Sequence, residues 1–383
     1  MADAVAKKRW GLSWEAAAFV LLLLYPLFPV FESNFFNVTK RSLVDQLPTV
    51  FIFAILALGL NVVVGYTGML HLGIAGFFAI GAYVAGILMA PSYTFGANIV
   101  VALIVGPLVA GLAGLLLGAP MLRLRGDYLA LVTLGFGEVV RYGLRNLGGI
   151  TAGTQGLSPI PTPPDFGGSL DWVNSFLPWY YLTLVILIVV SLMLANLENS
   201  RLGRAWVALR EDELAANCMG LNPGKLKLAA FALGAAIAGL AGVLYANRLT
   251  STSAPDAYSF NRSVFILCCL ILGGLGSRRG VLLGVFLLVG FDNIVSPIMD
   301  TFIQQNVIEQ SSESRIYKSF SGWRLIIFGL ALILMMRFRP EGLVPSSRVK
   351  HELHPNDVVT DAIRPSTMTT TSTETKSLNG GPA

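Results

Sequence analysis

Charged side chains are scarce in this sequence, so those that interrupt apolar stretches are the first candidates for chemistry. Only 13% of its 383 residues are charged, against 54% hydrophobic. Glu138, Arg141 and Arg145 stand at i, i+3 and i+7 of an apolar run and share one helix face. Charges at membrane depth are costly and often mark a transport route, where a zwitterion could engage either sign. The same spacing suits a plain Glu138–Arg141 ion pair near an interface, with Arg145 reaching headgroups. Asp127, at the head of that helix, simply complements its dipole.

A second group, Asn61, Gly65, Gly68, His71 and Gly73, forms a polar break between two apolar runs. Irregular backbone at membrane depth is tolerated where it lines a cavity or is covered by protein. The break reads as a broken helix in a pathway or as a tight turn with packing glycines. The third group is Arg210, Glu211, Asp212 and Glu213, followed by Ala215, Ala216 and Gly220. The spacing predicts a short helix from Leu209 to Met219 with the acidic trio at its positive end, Gly220 as C-cap and Pro223 as stop. Such a helix is shaped to dock into a groove on a cytoplasmic partner, and it is also what a solvated connecting loop would look like.

Other chemistries find no support. The three cysteines, Cys218, Cys268 and Cys269, give no disulfide framework. The histidines (His71, His351, His354) are scattered, so no metal or catalytic cluster is expected and the chain reads as a non-enzyme. It lacks the Gly-x-x-x-x-Gly-Lys-Ser/Thr loop that cradles nucleotide phosphates.

The elements that must position these residues are membrane helices. A soluble domain carries about 25% charged residues, far above the content here. Runs of about 20 apolar residues fall at 16–31, 46–64, 70–90, 97–118, 128–146, 178–197, 226–246, 262–276, 281–298 and 323–338. The predicted fold is an all-α polytopic membrane bundle of about ten transmembrane helices. The 262–276 run is short for a crossing and ends in glycines. The first run follows Lys7-Lys8-Arg9 like a signal peptide, yet Pro26 and Pro29 interrupt it, so it is read as a retained helix.

Small residues four apart, as in Gly114/Gly118, Ala235/Gly239, Ala238/Gly242 and Gly280/Gly284, predict close helix packing. The predicted divisions are a cytoplasmic N-terminus (1–15), a membrane domain (16–340) and a disordered cytoplasmic tail (341–383). Within the membrane domain lie an outer loop at 147–177 and an inner loop at 198–227.

Orientation follows the distribution of Lys and Arg. Sixteen lie in the loops assigned inside: Lys7, Lys8, Arg9, Arg123, Arg125, Arg201, Arg204, Arg210, Lys225, Lys227, Arg278, Arg279, Arg337, Arg339, Arg348 and Lys350. Six lie outside: Lys40, Arg41, Arg248, Arg262, Arg315 and Lys318. Both termini are therefore expected in the cytoplasm, and the net charge of +5 requires no nucleic-acid partner.

Several segments together resemble the branched-chain amino acid (Liv-type) permeases of bacterial ABC importers. They are Asn61-Val-Val-Val-Gly-Tyr-Thr-Gly68, Phe77 to Tyr83, Arg123 to Gly135, Arg201-Leu-Gly-Arg-Ala-Trp through Gly220, Leu272-Gly-Gly-Leu-Gly-Ser277 and Arg339-Pro-Glu-Gly-Leu343. Ala215-Ala216 and Gly220 resemble the coupling segment of such permeases, with Leu214 where a Glu is usual. His71 stands where relatives often have Ser or Asp.

The resemblance implies a permease subunit of the bacterial inner membrane that pairs with a homologous second permease. It also implies two cytoplasmic ABC ATPases that bind the ATP, and an extracytoplasmic substrate-binding protein. Branched-chain or other hydrophobic amino acids are the implied cargo, with urea or short amides as the competing class. An ATP-independent channel or secondary carrier is the other alternative. Glu138 and Asp292 are the acidic residues inside the expected spans, few for a proton- or sodium-coupled carrier.

Overall fold

The computed structural model describes residues 19–27, 42–121, 127–163, 172, 176–298, 326, 329–330, 333–339 and 342–344. The expected N-terminal segment, parts of the first and last spans and most of the tail lie outside the described residues, as do Arg123 and Arg125. Among the described residues every regular element is a helix. In chain order these include α1 (Leu43–Asn61), α2 (Ile74–Met89), α3 (Ile99–Met121), α4 (Asp127–Asn146) and the single turn α5 (Gly148–Thr151). Then come α6 (Leu177–Asn199), α7 (Arg201–Glu211), α8 (Glu213–Cys218), α9 (Pro223–Arg248), α10 (Phe260–Gly273) and α11 (Arg278–Gly290).

Among the described residues, six helical stretches are long and apolar enough to cross a membrane: Leu43–Tyr66, Ile99–Pro120, Leu177–Asn199, Pro223–Arg248, Pro255–Gly273 and Arg278–Ile298. The short 262–276 run falls in one of these stretches, because the turn before α10 extends it to 19 residues. The run at 128–146 is helical, but it is not among the six. Asp127, Glu138, Arg141 and Arg145 make α4 too polar for that class.

The expected span at 70–90 is also modified. Its helix begins only at Ile74 and holds 16 residues, about 24 Å of rise against a hydrocarbon core of about 30 Å. Leu70 and Leu72, inside that expected span, form irregular backbone ahead of α2.

α1 is apolar on all sides because it lies inside the bundle, where Ile52, Ala54, Ile55, Leu56, Ala57 and Leu58 are wholly buried. α9 runs antiparallel beside it, where a Cβ on Gly59 would come 3.0 Å from the Gly234 carbonyl oxygen. Small residues also set the approach of α9 to α2: a Cβ on Gly242 would come 2.0 Å from the Phe78 carbonyl oxygen, and one on Gly81 would come 2.1 Å from that of Gly239. On α3, a Cβ on Gly114 would lie 2.6 Å from Ala235 Cβ. The opposite face of α3 exposes Ile104, Leu108, Leu112 and Leu116 at four-residue spacing. In a membrane that stripe meets lipid or another protein rather than water. α10 and α11 form a tight hairpin, where Gly284 closes on the Cys269 carbonyl and Gly280 on that of Gly273. The small-residue spacings read from sequence thus do their expected packing.

Polar residues fix the helix starts. Ser200 Oγ accepts from Gly203 N, Asn222 Oδ1 from Lys225 N and Ser277 Oγ from Gly280 N, capping α7, α9 and α11. Pro223 does not mark a stop, as its sequence position suggested. It occupies the first turn of α9, where its missing N–H costs nothing.

Candidate functional site

α1 ends in a π-helical turn, Val62–Tyr66, and at this end four separate segments meet. Asn61 Oδ1 accepts from Gly276 N at 3.1 Å, joining the end of α1 to the glycine turn between α10 and α11. Arg210 Nη1 on α7 donates to the Gly65 carbonyl at 2.7 Å. Trp206, one turn earlier on α7 and wholly buried, stacks on Tyr66 with 6.5 Å between ring centres and 12° between planes. Its Nε1 donates to the Leu226 carbonyl at the start of α9 at 2.9 Å. The chain near its C-terminal end arrives at the same place: Leu343 N and Val344 N donate to the Leu272 and Gly273 carbonyls, both at 3.0 Å. The motifs at 61–68, 201–220, 272–277 and 339–343, far apart in sequence, therefore form one vertex.

The acidic trio is divided by the fold. The expected helix from Leu209 to Met219 is two helices, α7 and α8, broken at Asp212, whose backbone is extended at φ −154°, ψ 113°. Asp212 Oδ1 accepts from Leu214 N at 2.8 Å and Ala215 N at 3.0 Å, so it caps α8. Glu213 pairs with Lys227 Nζ at 2.7 Å, fastening α8 to α9. Glu211 is exposed. Gly220 performs as read: at φ +87° it closes α8 while Leu221 N donates to the Ala216 carbonyl and Gly220 N to that of Asn217. Ala216 is buried, whereas Ala215 is exposed together with Leu214 (67%) and Met219 (84%). What α8 offers outward is thus a small apolar surface on a firmly capped turn, with Glu211 and Asp212 at its start.

Beyond the π-turn, the chain doubles back through Gly68, His71 and Gly73 to α2. Gly68 and Leu70 are exposed, while His71 and Gly73 are buried. Leu72 N donates to Thr133 Oγ1 at 3.0 Å, and Ala75 N to Ser263 Oγ at 3.1 Å. These hydroxyls satisfy amides ahead of and at the start of α2, as irregular backbone in a membrane bundle requires. His71 stacks on Phe77 at 5.7 Å and meets Phe231 edge-on at 5.4 Å. Neither of its ring nitrogens has a hydrogen-bond partner among the described residues.

Glu138 and Arg141 lie elsewhere. Glu138 Oε2 accepts from Arg141 Nε at 2.8 Å, and Glu138 Oε1 accepts from Phe260 N at 3.1 Å, at the start of α10. Arg141 also reaches Asp256 at 2.6 Å, and Arg145 approaches the same carboxylate at 3.8 Å. The cluster stitches α4 to the segment before α10, at the end of the bundle opposite the Gly65 vertex. The residues expected along a pathway therefore separate into two groups: Asn61, Gly65, Gly68, His71 and Gly73 in the break, and Glu138 and Arg141 in a charge network.

Residues that sequence reasoning left out now enter. Gly276 and Thr133 lie inside motifs already quoted for their resemblance, so a signal for them existed. Ser263, Lys227 and Asp256 carried none, because a single polar residue near a helix end has many equivalent explanations.

Comparison with known proteins bears on this arrangement. The branched-chain amino acid transport system / permease component family model matches residues 42–336. The chain is 40% identical over 334 residues to the high-affinity branched-chain amino acid transport system permease protein LivM of Escherichia coli, covering 82% of this chain and 72% of that one. It is 28% identical over 299 residues to a probable LivM of Methanocaldococcus jannaschii (73% and 79% covered). Against the ribose import permease protein RbsC of Haemophilus influenzae it is 25% identical over 296 residues (75% and 86% covered). No solved structure matches it. The matched region contains the break, α7, α8 and the α10–α11 turn, and the chain belongs to the branched-chain amino acid transport system permease-component family.

Proposed function

We propose that this chain is the LivM-type permease subunit of an ATP-driven ABC importer and carries branched-chain or other hydrophobic amino acids across the bacterial inner membrane. The observation that carries the reading is 40% identity to the E. coli LivM permease over 82% of this chain. The build of α8 supports it: a capped turn, fastened by Glu213–Lys227, presents Leu214, Ala215 and Met219 outward, as a docking segment for an ATPase should.

In this reading two cytoplasmic ATPases hold the nucleotide and grip the segment from Glu211 to Gly220. A homologous second permease supplies the other half of the pathway, and an extracytoplasmic binding protein delivers the amino acid. This chain needs no cofactor of its own. About ten spans with both termini in the cytoplasm complete the topology, supported by the sixteen-to-six bias of Lys and Arg. The break at Asn61–Gly73 is the candidate gate, since irregular backbone packed against α4, α9 and α10 can rearrange without breaking a spanning helix.

The test is uptake of labelled leucine and urea by liposomes holding this chain with its partner subunits, with and without ATP. Leucine uptake that requires ATP is the expected result. ATP-driven urea uptake would move the cargo and keep the mechanism. Uptake by this chain alone, indifferent to ATP, would replace the importer by a channel or carrier.

A further inference from the structure

Sequence groups Arg210 with the acidic docking residues, yet its guanidinium also reaches the distant end of α1. It reaches a residue 145 positions earlier, donating from Nη1 to the Gly65 carbonyl at 2.7 Å. Its stem crosses the bare backbone of Gly68, where a Cβ would lie 2.9 Å from Arg210 Cγ. Its fork sits beside Gly276, where a Cβ would lie 3.3 Å from Nη1 and 3.2 Å from the Gly65 oxygen. Gly68 at φ +71° and Gly276 at φ +77° hold conformations that a side chain would strain as well as crowd.

Trp206 and Arg210 are i and i+4 on α7, so one helix face grips two successive residues of the break: Tyr66 by ring stacking and Gly65 by hydrogen bond. The Gly65 carbonyl belongs to a π-turn, a geometry that recurs at functional sites. The planar fork of an arginine keeps its charge and direction.

We propose that Arg210 is a positioning residue that latches the docking segment to the helix break. Through it α7, the Val62–Tyr66 turn and the Gly274–Gly276 turn move as one body when the ATPases act on α8. The inference rests on the importer reading above and names the residue that carries motion from docking segment to gate. The latch has two properties: it joins an exposed segment to the buried end of α1, and it is a mechanical link whose chemistry can be exchanged.

The experiment uses the full importer in liposomes, with Cys218, the exposed one of the three cysteines, replaced by Ser. Uptake per ATP hydrolysed is the readout, because a residue that only helped folding would lower both quantities together. Arg210→Gln is expected to lower the ratio about tenfold, the scale of one lost charge-assisted hydrogen bond. Arg210→Lys, which keeps a charge but not the fork, is expected to recover part of it.

The exchange arm is the double variant Gly68→Cys/Arg210→Cys. A Cβ at Gly68 lies 3.7 Å from Arg210 Cβ, inside the range of about 3.5–4.5 Å that a disulfide spans. Reduced, this pair is expected to be as uncoupled as Arg210→Gln. Oxidised, it is expected to return within about twofold of the unsubstituted importer, because a covalent link replaces the latch.

Full coupling in Arg210→Gln would overturn the proposal, and so would an oxidised pair no better coupled than the reduced one when Gly68→Cys alone leaves coupling intact. Where the pair does not oxidise, the glutamine variant decides alone. An unsubstituted complex that takes up nothing with ATP would bring down the importer reading itself, and the latch with it.

Discussion

The two ends of α1 are each held by an arginine from another helix, and the two grips differ in kind. At one end Arg248, closing α9, donates to Asp45 Oδ1 at 2.9 Å, to the Asp45 carbonyl and to Thr49 Oγ1 at 3.3 Å. The helix there is regular, and carboxylate, carbonyl and hydroxyl together anchor the guanidinium. At the other end Arg210 meets a backbone carbonyl in a π-turn, among glycines, next to irregular backbone. A guanidinium tied to the side chains of a regular helix is a staple, whereas one tied to the backbone of a break is a handle. In the proposed importer the difference marks which end moves: the Asp45 end secures the bundle, and the Gly65 end takes force from the docking segment.

Substitutions should separate these roles, and stability is best read by denaturant titration of the purified chain in micelles. The largest loss is expected from Trp206→Ala, which empties the wholly buried stack on Tyr66 and removes the donor to Leu226. About 4 kcal/mol is the expected cost. A small loss would mean that α7 is not packed into the break. Next comes Arg248→Gln at about 2 kcal/mol, since it strips a charged donor from Asp45. Its uptake per ATP should be unchanged, and a fall would erase the distinction between staple and handle.

Asp212→Ala should cost about 1 kcal/mol through loss of the α8 cap. It should also weaken ATPase binding, because α8 then frays. Glu213→Gln should cost about 0.5 kcal/mol, as Glu213 is partly exposed and the pair is screened. If Glu213→Gln proved the more damaging of the two, the Lys227 link rather than the cap would be what shapes the docking turn.

Much of this arrangement was legible in the residues, where the information was local. Gly220 announced a helix end because only a glycine suits its φ, and the four-residue small spacings announced close packing. Glu138 and Arg141 at i, i+3 announced a pair. What stayed hidden was set by contacts across the chain. Asp256 completes the charge network from 115 positions away, and nothing beside Arg141 points to it. Arg210 next to three acidic residues looked like part of one charged surface, since sequence does not say which way a side chain turns.

Asp212 in an acidic helical run is equally a first-turn residue or a cap, and the fold chose the cap by breaking the helix there. Leu70 and Leu72 read as membrane helix by hydropathy. Thr133 and Ser263 make an irregular path affordable by accepting from amides outside the regular ladder of α2.

The most direct measurement of whether α8 is the surface the ATPases grip uses Cys218, which lies exposed in α8. Its maleimide labelling rate would be followed in the purified chain with its partner permease, before and after addition of the ATPase subunits. The account predicts that the ATPases slow labelling by at least about tenfold, with partial release on ATP hydrolysis as α8 shifts in its groove. Unchanged labelling in a complex shown by gel filtration to contain the ATPases would contradict it, because the docking surface would then lie elsewhere.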